Sequence, residues 1–400
     1  MEHVAIVGAG QAGAAVAMRL RQMGCSDEIT IFGNEEDPPY QRPPLSKKYL
    51  AGEWERERLW LRPVEFWSDQ GITLRLGKEV RQLNLDDRSL VWGDDIHSWS
   101  KLALTTGSRP RPLPPGFGGR GNVFELRNLA DVDRLQQAFH RGRRLLILGG
   151  GYIGLETAAV AAQAGLDVTV IERSARILER VACSGTADAV RSLHVQHGVR
   201  IYEGRSVVHT EGEEMLKALT LDNGVTLDCD LVVVGVGVLP DVGLATAAGI
   251  HCDGGLVVDE FGRTSVPGVW AAGDCTRLPL LGGSVTLESV QNAIDQAETV
   301  ADDMLGVAQP YVPVPWFWSD QYDTKLQIVG LNHGYDTVVS QASAKGRSNW
   351  YFRGNRLIAV DALNDGRAYM VGKKLLESGR EIRPEQVSRP DFDPMALLRA

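Results

Sequence analysis

Apolar runs of strand length that end in glycine alternate with Ala-rich stretches from the start of this 400-residue chain. In VAIVGAGQAGAAVAMRLRQMGCSDEITIF (4–32) an apolar run meets a glycine turn, an Ala-rich stretch follows, and a second apolar run closes the segment. The same order returns in LLILGGGYIGLETAAVAAQAGLDVTVIE (145–172). Runs that are apolar at every position suit strands covered on both faces, so each segment predicts a βαβ unit on a parallel sheet. Two such units predict two nucleotide-type domains.

The stretch DLVVVGVGVLPD (230–241) predicts a further buried strand ending in glycines, and GLVVDEFGRTSVPGVWAAGDC (255–275) alternates short strands with turn residues. ESVQNAIDQAETVADDMLG (288–306) reads as a helix. The proline-punctuated PYVPVPWFWSDQY (310–322) then reads as a linker into a different domain, in which LQIVG, SNWYFR and RLIAVDAL are strand-like and MVGKKLLESG is helical. The predicted fold class is therefore α/β, with two Rossmann-like nucleotide-binding domains and a small C-terminal α+β domain.

Composition narrows the function. A formal charge of −9, with no dense lysine/arginine tract, argues against a nucleic-acid partner. The longest apolar run, LVVVGVGVL (231–239), is far below the roughly 20 residues of a membrane span. The start MEHVAIVGAG runs directly into a strand rather than a signal peptide, which predicts a cytoplasmic location. The five cysteines, Cys25, Cys183, Cys229, Cys252 and Cys275, have no gap shorter than 23 residues, so neither a local dithiol nor a self-contained iron–sulfur cluster is expected, and no metal site.

Gly8, Gly10 and Gly13 form GxGxxG between a predicted strand and a predicted helix. Backbone amides and the helix dipole can meet a pyrophosphate there, and side chains would block it. Glu35, with Asn34 beside it, lies 22 residues after Gly13, near where an acid binds ribose hydroxyls. Gly149, Gly151 and Gly154 repeat the pattern, with Glu172 18 residues beyond Gly154. A carboxylate there accepts from a ribose diol and repels a 2′-phosphate, so NAD is expected over NADP, an inference weakened by adjacent Arg173. Two dinucleotide sites in one chain suggest FAD in one and a visiting nicotinamide in the other. GVWAAGDC (268–275) can place Asp274 near flavin hydroxyls.

GAGQAG, PYQRPPLSK, GGGYIGLE, VGVGVLPD, AAGDC and PWFWSDQY, in this order, make the chain resemble the FAD- and NADH-dependent ferredoxin reductases of bacterial oxygenase systems. The resemblance covers essentially the whole chain. It implies a glutathione-reductase-like architecture: a discontinuous FAD domain at 1–112 and 235–308, an NAD domain at 113–234 and a C-terminal domain at 309–400. It places Ala12, Asn34, Arg42, Lys47, Val80, Arg127, Asp274 and Val290 around non-covalent FAD. On the NAD side it adds Tyr152, Ile153 and Gly237 to the second fingerprint. Lys47 and Glu156 are the implied catalytic pair beside the flavin, with one tryptophan of the last motif, Trp316 or Trp318, shielding the hydride path. An acid in the first turn of a helix more often only answers the helix dipole, which is the plainer role for Glu156. Asn34 and Asp241 depart from the family, which more often has an acid and Asn there.

The implied activity is hydride transfer from NADH to FAD, then single electrons to a [2Fe-2S] ferredoxin that serves a Rieske dioxygenase or a P450 in aromatic or xenobiotic oxidation. The expected state is a monomer or weak homodimer. An acidic ferredoxin would need a local basic patch, for which Arg141, Arg143, Arg144, Lys373 and Lys374 are candidates. A flavin disulfide reductase or NADH oxidase is the rival enzyme, but 33–60 holds no cysteine. A redox-gated interaction protein resembling apoptosis-inducing factor shares the PYxRPPLSK segment and is the rival of another class.

Overall fold

The computed structural model describes residues 2–280, 282–343, 346–389 and 391–399. It divides into two compact units: Met1–Arg42 with Glu55–Arg109 and Val238–Pro313, and Pro43–Trp54 with Pro110–Gly237 and Val314–Ala400. The first of the five chain positions where one unit gives way to the other falls inside the proline-rich segment, between Arg42 and Pro43.

In the first unit the apolar run His3–Val7 is the middle strand of a five-stranded sheet, in the order Val269–Ala271, Lys101–Leu104, His3–Val7, Glu28–Phe32, Ile72–Arg75. Every pairing in it is parallel, with Val7 opposite Phe32 on one side and Leu104 on the other. The next strand in the chain pairs on one side of His3–Val7 and a much later strand on the other, so a crevice opens at the carboxyl end of this strand. The helices Gln11–Gln22 and Val290–Met304 bring Val16, Ala17 and Leu20 together with Ala297, Val300 and Ala301 in one core. Each large aliphatic side chain buried there contributes ~1.5–3 kcal/mol.

In the second unit the order is Arg200–Glu203, Asp167–Glu172, Arg144–Leu148, Leu231–Val234, Val123–Phe124, again parallel throughout. Leu231–Val234 is the predicted return strand, buried at all four positions. The same unit carries an antiparallel sheet in the order Trp316–Gln321, Thr324–Gly330, Arg356–Leu363, Arg347–Arg353, Thr337–Ala342. The helix Gly366–Ser378 covers it, placing Val371 and Leu375 in a core with Val329, Trp350, Phe352 and Val360. Asp365 caps that helix by accepting from the Ala368 N–H, and Gly379 ends it at φ 64° in the left-handed region.

Candidate active site

Each unit carries one glycine loop between a strand and a twelve-residue helix, Gln11–Gln22 in the first and Tyr152–Gln163 in the second. The glycines of a loop do different jobs. Gly8 has φ +116°, and a Cβ there would lie 2.2 Å from the Thr105 carbonyl oxygen. At Gly13 a Cβ would lie 2.0 Å from the Gly8 carbonyl oxygen. In the second loop the same roles fall to Gly149, φ +108° and 2.3 Å from Gly235 O, and Gly154, 2.2 Å from Gly149 O. These four allow the backbone to close on itself.

Gly10 and Gly151 are different: a Cβ at either would meet nothing within 4 Å. Both are helix N-caps, and among the described residues no side chain caps either helix and no acid sits in either first turn. Each helix start thus keeps its first N–H groups without a side-chain cap, beside a glycine position with room around it, which is the donor set a pyrophosphate needs.

Around the first loop, Ala12 is buried, and a Cβ on Gly273 would touch it at 3.1 Å. The Gly273 N–H donates to Gln296 Oε1 of the helix Val290–Met304. Asp274 follows, half-buried, with its Oδ2 accepting from Ser108 Oγ at 3.2 Å. Val290 opens its helix, capped by Ser289, and Val80 is buried opposite Trp92 on the strand Val80–Asn84. At the end of the strand Glu28–Phe32 the acid is committed: Glu35 accepts from Tyr40 Oη and Arg42 at 2.5 Å each. Asn34 is exposed beside it.

In the second unit Glu172 ends its strand and turns back over the loop. Its Oε2 accepts from the Gly150 N–H and its Oε1 from the Ser174 N–H, both at 2.7 Å. Arg173 is exposed. Ile153 is 41% exposed at the helix start, and Gly237 has φ +101°, with its carbonyl accepting from the Arg111 N–H. Arg127 donates its backbone N–H to Asp131, just ahead of the helix Leu129–Ala138 that Asn128 caps.

Lys47 and Glu156 meet. Nζ is 2.7 Å from Oε2, with the carboxylate side chain 3% exposed. Ser46 Oγ donates to the same oxygen at 2.5 Å and Ser319 Oγ to the other at 2.6 Å, while Nζ also reaches the Pro43 carbonyl. The carboxylate thus receives an ammonium and two hydroxyls. Glu156 is the fifth residue of its helix, beyond the first turn, so dipole compensation at a free helix start does not describe it. The turn Pro43–Ser46 aims Lys47 inward and leaves Lys48 on the Trp54 ring.

The profile described as "Pyridine nucleotide-disulphide oxidoreductase" matches residues 2–297, and "Reductase C-terminal" matches 316–398. Rhodocoxin reductase of Rhodococcus erythropolis is 39% identical, with 99% of this chain and 94% of that protein covered. A ferredoxin–NAD(P)+ reductase of Sphingomonas sp. is 40% identical over 95% of this chain and 94% of its own. The chain belongs to the ferredoxin reductases of the pyridine nucleotide-disulphide oxidoreductase family. Among solved structures, the covalent putidaredoxin reductase–putidaredoxin complex matches this ferredoxin reductase with a TM-score of 0.96 at 35% identity, covering 100% of this chain and 98% of that one.

FAD and NAD(H) are the cofactors of this family, and the two open, uncapped helix starts of this reductase fit two pyrophosphates. Residues 316–321 of this reductase, expected in the linker, instead form the strand Trp316–Gln321, held by its pairing with Thr324–Gly330, and this strand sorts the aromatic motif by face. Trp316 and Trp318 alternate away from Phe317 and Ser319. Trp316 packs on Trp318, on Tyr369 and into the C-terminal core, with Lys373 Nζ 5.4 Å from its ring centroid. Phe317 meets Tyr152 at 4.6 Å between ring centroids. The Tyr152 hydroxyl is buried, and burial raises its pKa well above the usual phenol value, with the Asp361 and Glu156 carboxylates adding to the shift. Of the basic residues, Arg144 is occupied by Asp228 and Asp230 at 2.8 and 2.9 Å, whereas Arg141, Arg143 and Lys374 are exposed.

The site residues that sequence reasoning passed over are Ser46 and Ser319, the two hydroxyl donors on Glu156. Both lie inside motifs already quoted, but a serine beside a lysine or after a tryptophan carries no local signal of what it will face. Cys275 is fully buried, with its thiol on the Leu104 and Ala272 carbonyls and its pKa pushed up by burial to about 11. A thiol held protonated in this way is inert. Among the described residues no helix is long and apolar enough to cross a membrane.

Proposed function

We propose that the chain is the cytoplasmic NADH-dependent reductase of a bacterial oxygenase system, delivering electrons singly to a [2Fe-2S] ferredoxin that serves a Rieske dioxygenase or a P450. The observation that carries this is the pair of glycine loops with open Gly10 and Gly151, in a chain that matches ferredoxin reductases along nearly its whole length. Bound FAD would supply the conversion of a two-electron hydride from NADH into single electrons.

We assign FAD to 1–112 and 235–308, NAD to 113–234, and a covering role to 309–400. Gly8, Gly10, Ala12 and Gly13 receive the FAD pyrophosphate on the amides of the helix start. Asn34 binds its ribose, because Glu35 is already held by Arg42 and Tyr40 and serves to fix Arg42. Asp274 accepts from flavin-chain hydroxyls, while Val80, Val290 and Arg127 line the rest by resemblance. For NAD, Gly149, Gly151 and Gly154 take the pyrophosphate with Tyr152 and Ile153 beside it and Gly237 opposite. Glu172, pinned by two backbone amides, presents a fixed charge to the adenosine ribose and disfavours a 2′-phosphate.

Lys47 supplies a positive charge for reduced flavin, and Glu156 with its two serines keeps the ammonium from relaxing away. Trp318 is the shielding tryptophan; Trp316 is drawn into the C-terminal core and braces it. The test is NADH-driven cytochrome c reduction with and without an added [2Fe-2S] ferredoxin. Turnover that rises with ferredoxin is expected. Slow turnover either way would overturn the assignment.

A further inference from the structure

Behind Glu156 lies a buried file of polar groups within the second unit. Ser319 Oγ donates to Glu156 Oε1 at 2.6 Å, and Gln321 Nε2 donates to Ser319 Oγ at 3.1 Å. His194 Nε2 is 2.7 Å from Gln321 Oε1, and Tyr322 Oη is 3.4 Å from His194 Nδ1. Glu156, His194, Ser319 and Gln321 are all 4% exposed or less. The strand Trp316–Gln321 puts Ser319 and Gln321 on one face by its alternation, and His194 comes from the helix Ser184–Gln196. The titratable groups around the imidazole are Tyr322, whose ring meets it edge-on, and His197, stacked on Tyr322.

The direction of every bond follows from one end. An ionised carboxylate only accepts, so the single proton of Ser319 must point at Glu156. Ser319 must then accept from Gln321, which places the amide nitrogen toward the serine and the amide oxygen toward His194. That oxygen accepts too, so the imidazole carries its proton on Nε2 and offers a bare Nδ1 to the Tyr322 hydroxyl. Burial lowers the His194 pKa to about 4, which keeps the ring neutral and allows one donor and one acceptor nitrogen.

We propose that His194 and Gln321 are positioning residues for the redox site, a directed hydrogen-bond file that holds Glu156 against Lys47. Four donors aligned the same way polarise one another and converge on the carboxylate. The file orients and does not conduct: the amide of Gln321 carries no exchangeable O–H to hand a proton onward. The inference rests on the reading that the Lys47–Glu156 pair serves flavin chemistry.

The test uses His194→Phe, which keeps a ring but removes the donor, and His194→Gln, whose amide nitrogen can replace Nε2–H. Stopped-flow reduction of the FAD-loaded enzyme by NADH is read for its limiting rate and for the NADH Kd, with Glu156→Gln in parallel. The expected result is a limiting rate about tenfold lower in His194→Phe at unchanged Kd, recovered to within about twofold in His194→Gln, with no further loss when His194→Phe is added to Glu156→Gln. If Glu156→Gln is slow and His194→Phe reduces flavin at the wild-type rate, the positioning role alone is overturned. If Glu156→Gln itself is unimpaired, the reading of the pair falls and the proposal with it. Imidazole 15N NMR of the unmodified protein, with or without FAD, is an independent readout. A proton on Nε2 is expected for His194, and a proton on Nδ1 would overturn the file even should the variants not fold.

Discussion

The Lys47 ammonium sits 2.7 Å from the Glu156 carboxylate, in a setting where the acid is buried and the lysine side chain is 16% exposed. Removing one partner leaves the other without its counter-charge, which costs more than the pair itself contributes. We expect Lys47→Met or Glu156→Gln to lower unfolding stability by up to ~3 kcal/mol, and the double variant to lose less than the sum of the two. Urea midpoints of the four proteins measure the coupling. In the FAD-loaded enzyme, Lys47→Met should also slow flavin bleaching by NADH.

The glycines of the first loop predict two different failures. At Gly8 a Cβ would collide with the Thr105 carbonyl at 2.2 Å in a left-handed backbone, so Gly8→Ala should disturb folding itself. At Gly10 a Cβ enters open space, so Gly10→Ala should leave the apoprotein within about 0.5 kcal/mol of wild type. It should nonetheless weaken FAD binding by tenfold or more, roughly 1.4 kcal/mol or above. Thermal melts of apoprotein and fluorescence titration with FAD separate the two; normal FAD affinity in Gly10→Ala would remove the loop from the cofactor site.

Glu172 is held in place by the Gly150 and Ser174 amides, so its charge is fixed before any ligand arrives. Glu172→Ala should raise the NADH Kd by about 10- to 100-fold, the range for loss of hydrogen bonds to a charged group. Discrimination against NADPH should fall with it. Parallel NADH and NADPH titrations of the variant check both, and an unchanged NADH/NADPH ratio would contradict the assignment.

A pH effect is expected at a second buried carboxyl group. Asp361 is fully buried, and burial raises its pKa from 3.8 to about 7 against the hydrogen bonds of Tyr351 and Thr186, which lower it. The folded state therefore holds this proton between about pH 4 and 7 while the unfolded chain has released it. Its contribution to stability is full below pH 4 and is lost as pH rises through 7, by up to ~1.4 kcal/mol per pH unit. Asp361→Asn should flatten that slope, read as the difference between variant and wild-type urea midpoints at pH 5 and pH 8. Parallel profiles would show that Asp361 does not titrate in this range.

Much of the fold was legible from the chain because its signals are local. VAIV and LLIL are apolar at every position and became strands paired on both sides; GAGQAG and GGGYIG follow directly, so their loops lie where strand meets helix. WFWSDQ is an exception: expected in a linker, it forms the strand Trp316–Gln321 by pairing with Thr324–Gly330, and sends tryptophans to one face and Phe317, Ser319 and Gln321 to the other. The site was less legible. Arg42 and Lys47, five positions apart in a proline-stiffened segment, fall in separate compact units, a division that no composition shift in PPYQRPPLSK announces. His194 sits in a plain helix segment, RSLHVQ, where nothing nearby hints at a buried amide partner.

What the amino-acid order determined by itself is everything set by steric and periodic rules over a few residues: two βαβ units, the glycines that let each loop close, an acid at the end of each second strand. Only the tertiary structure decided that Ser46, Lys47 and Ser319 converge on the Glu156 carboxylate, and that Glu35 is occupied by Arg42 while Glu172 is held by backbone amides. The reason is physical. A buried charge must find partners wherever packing brings donors within 3 Å, and that proximity is a property of how helices and strands stack, which no window along the chain contains.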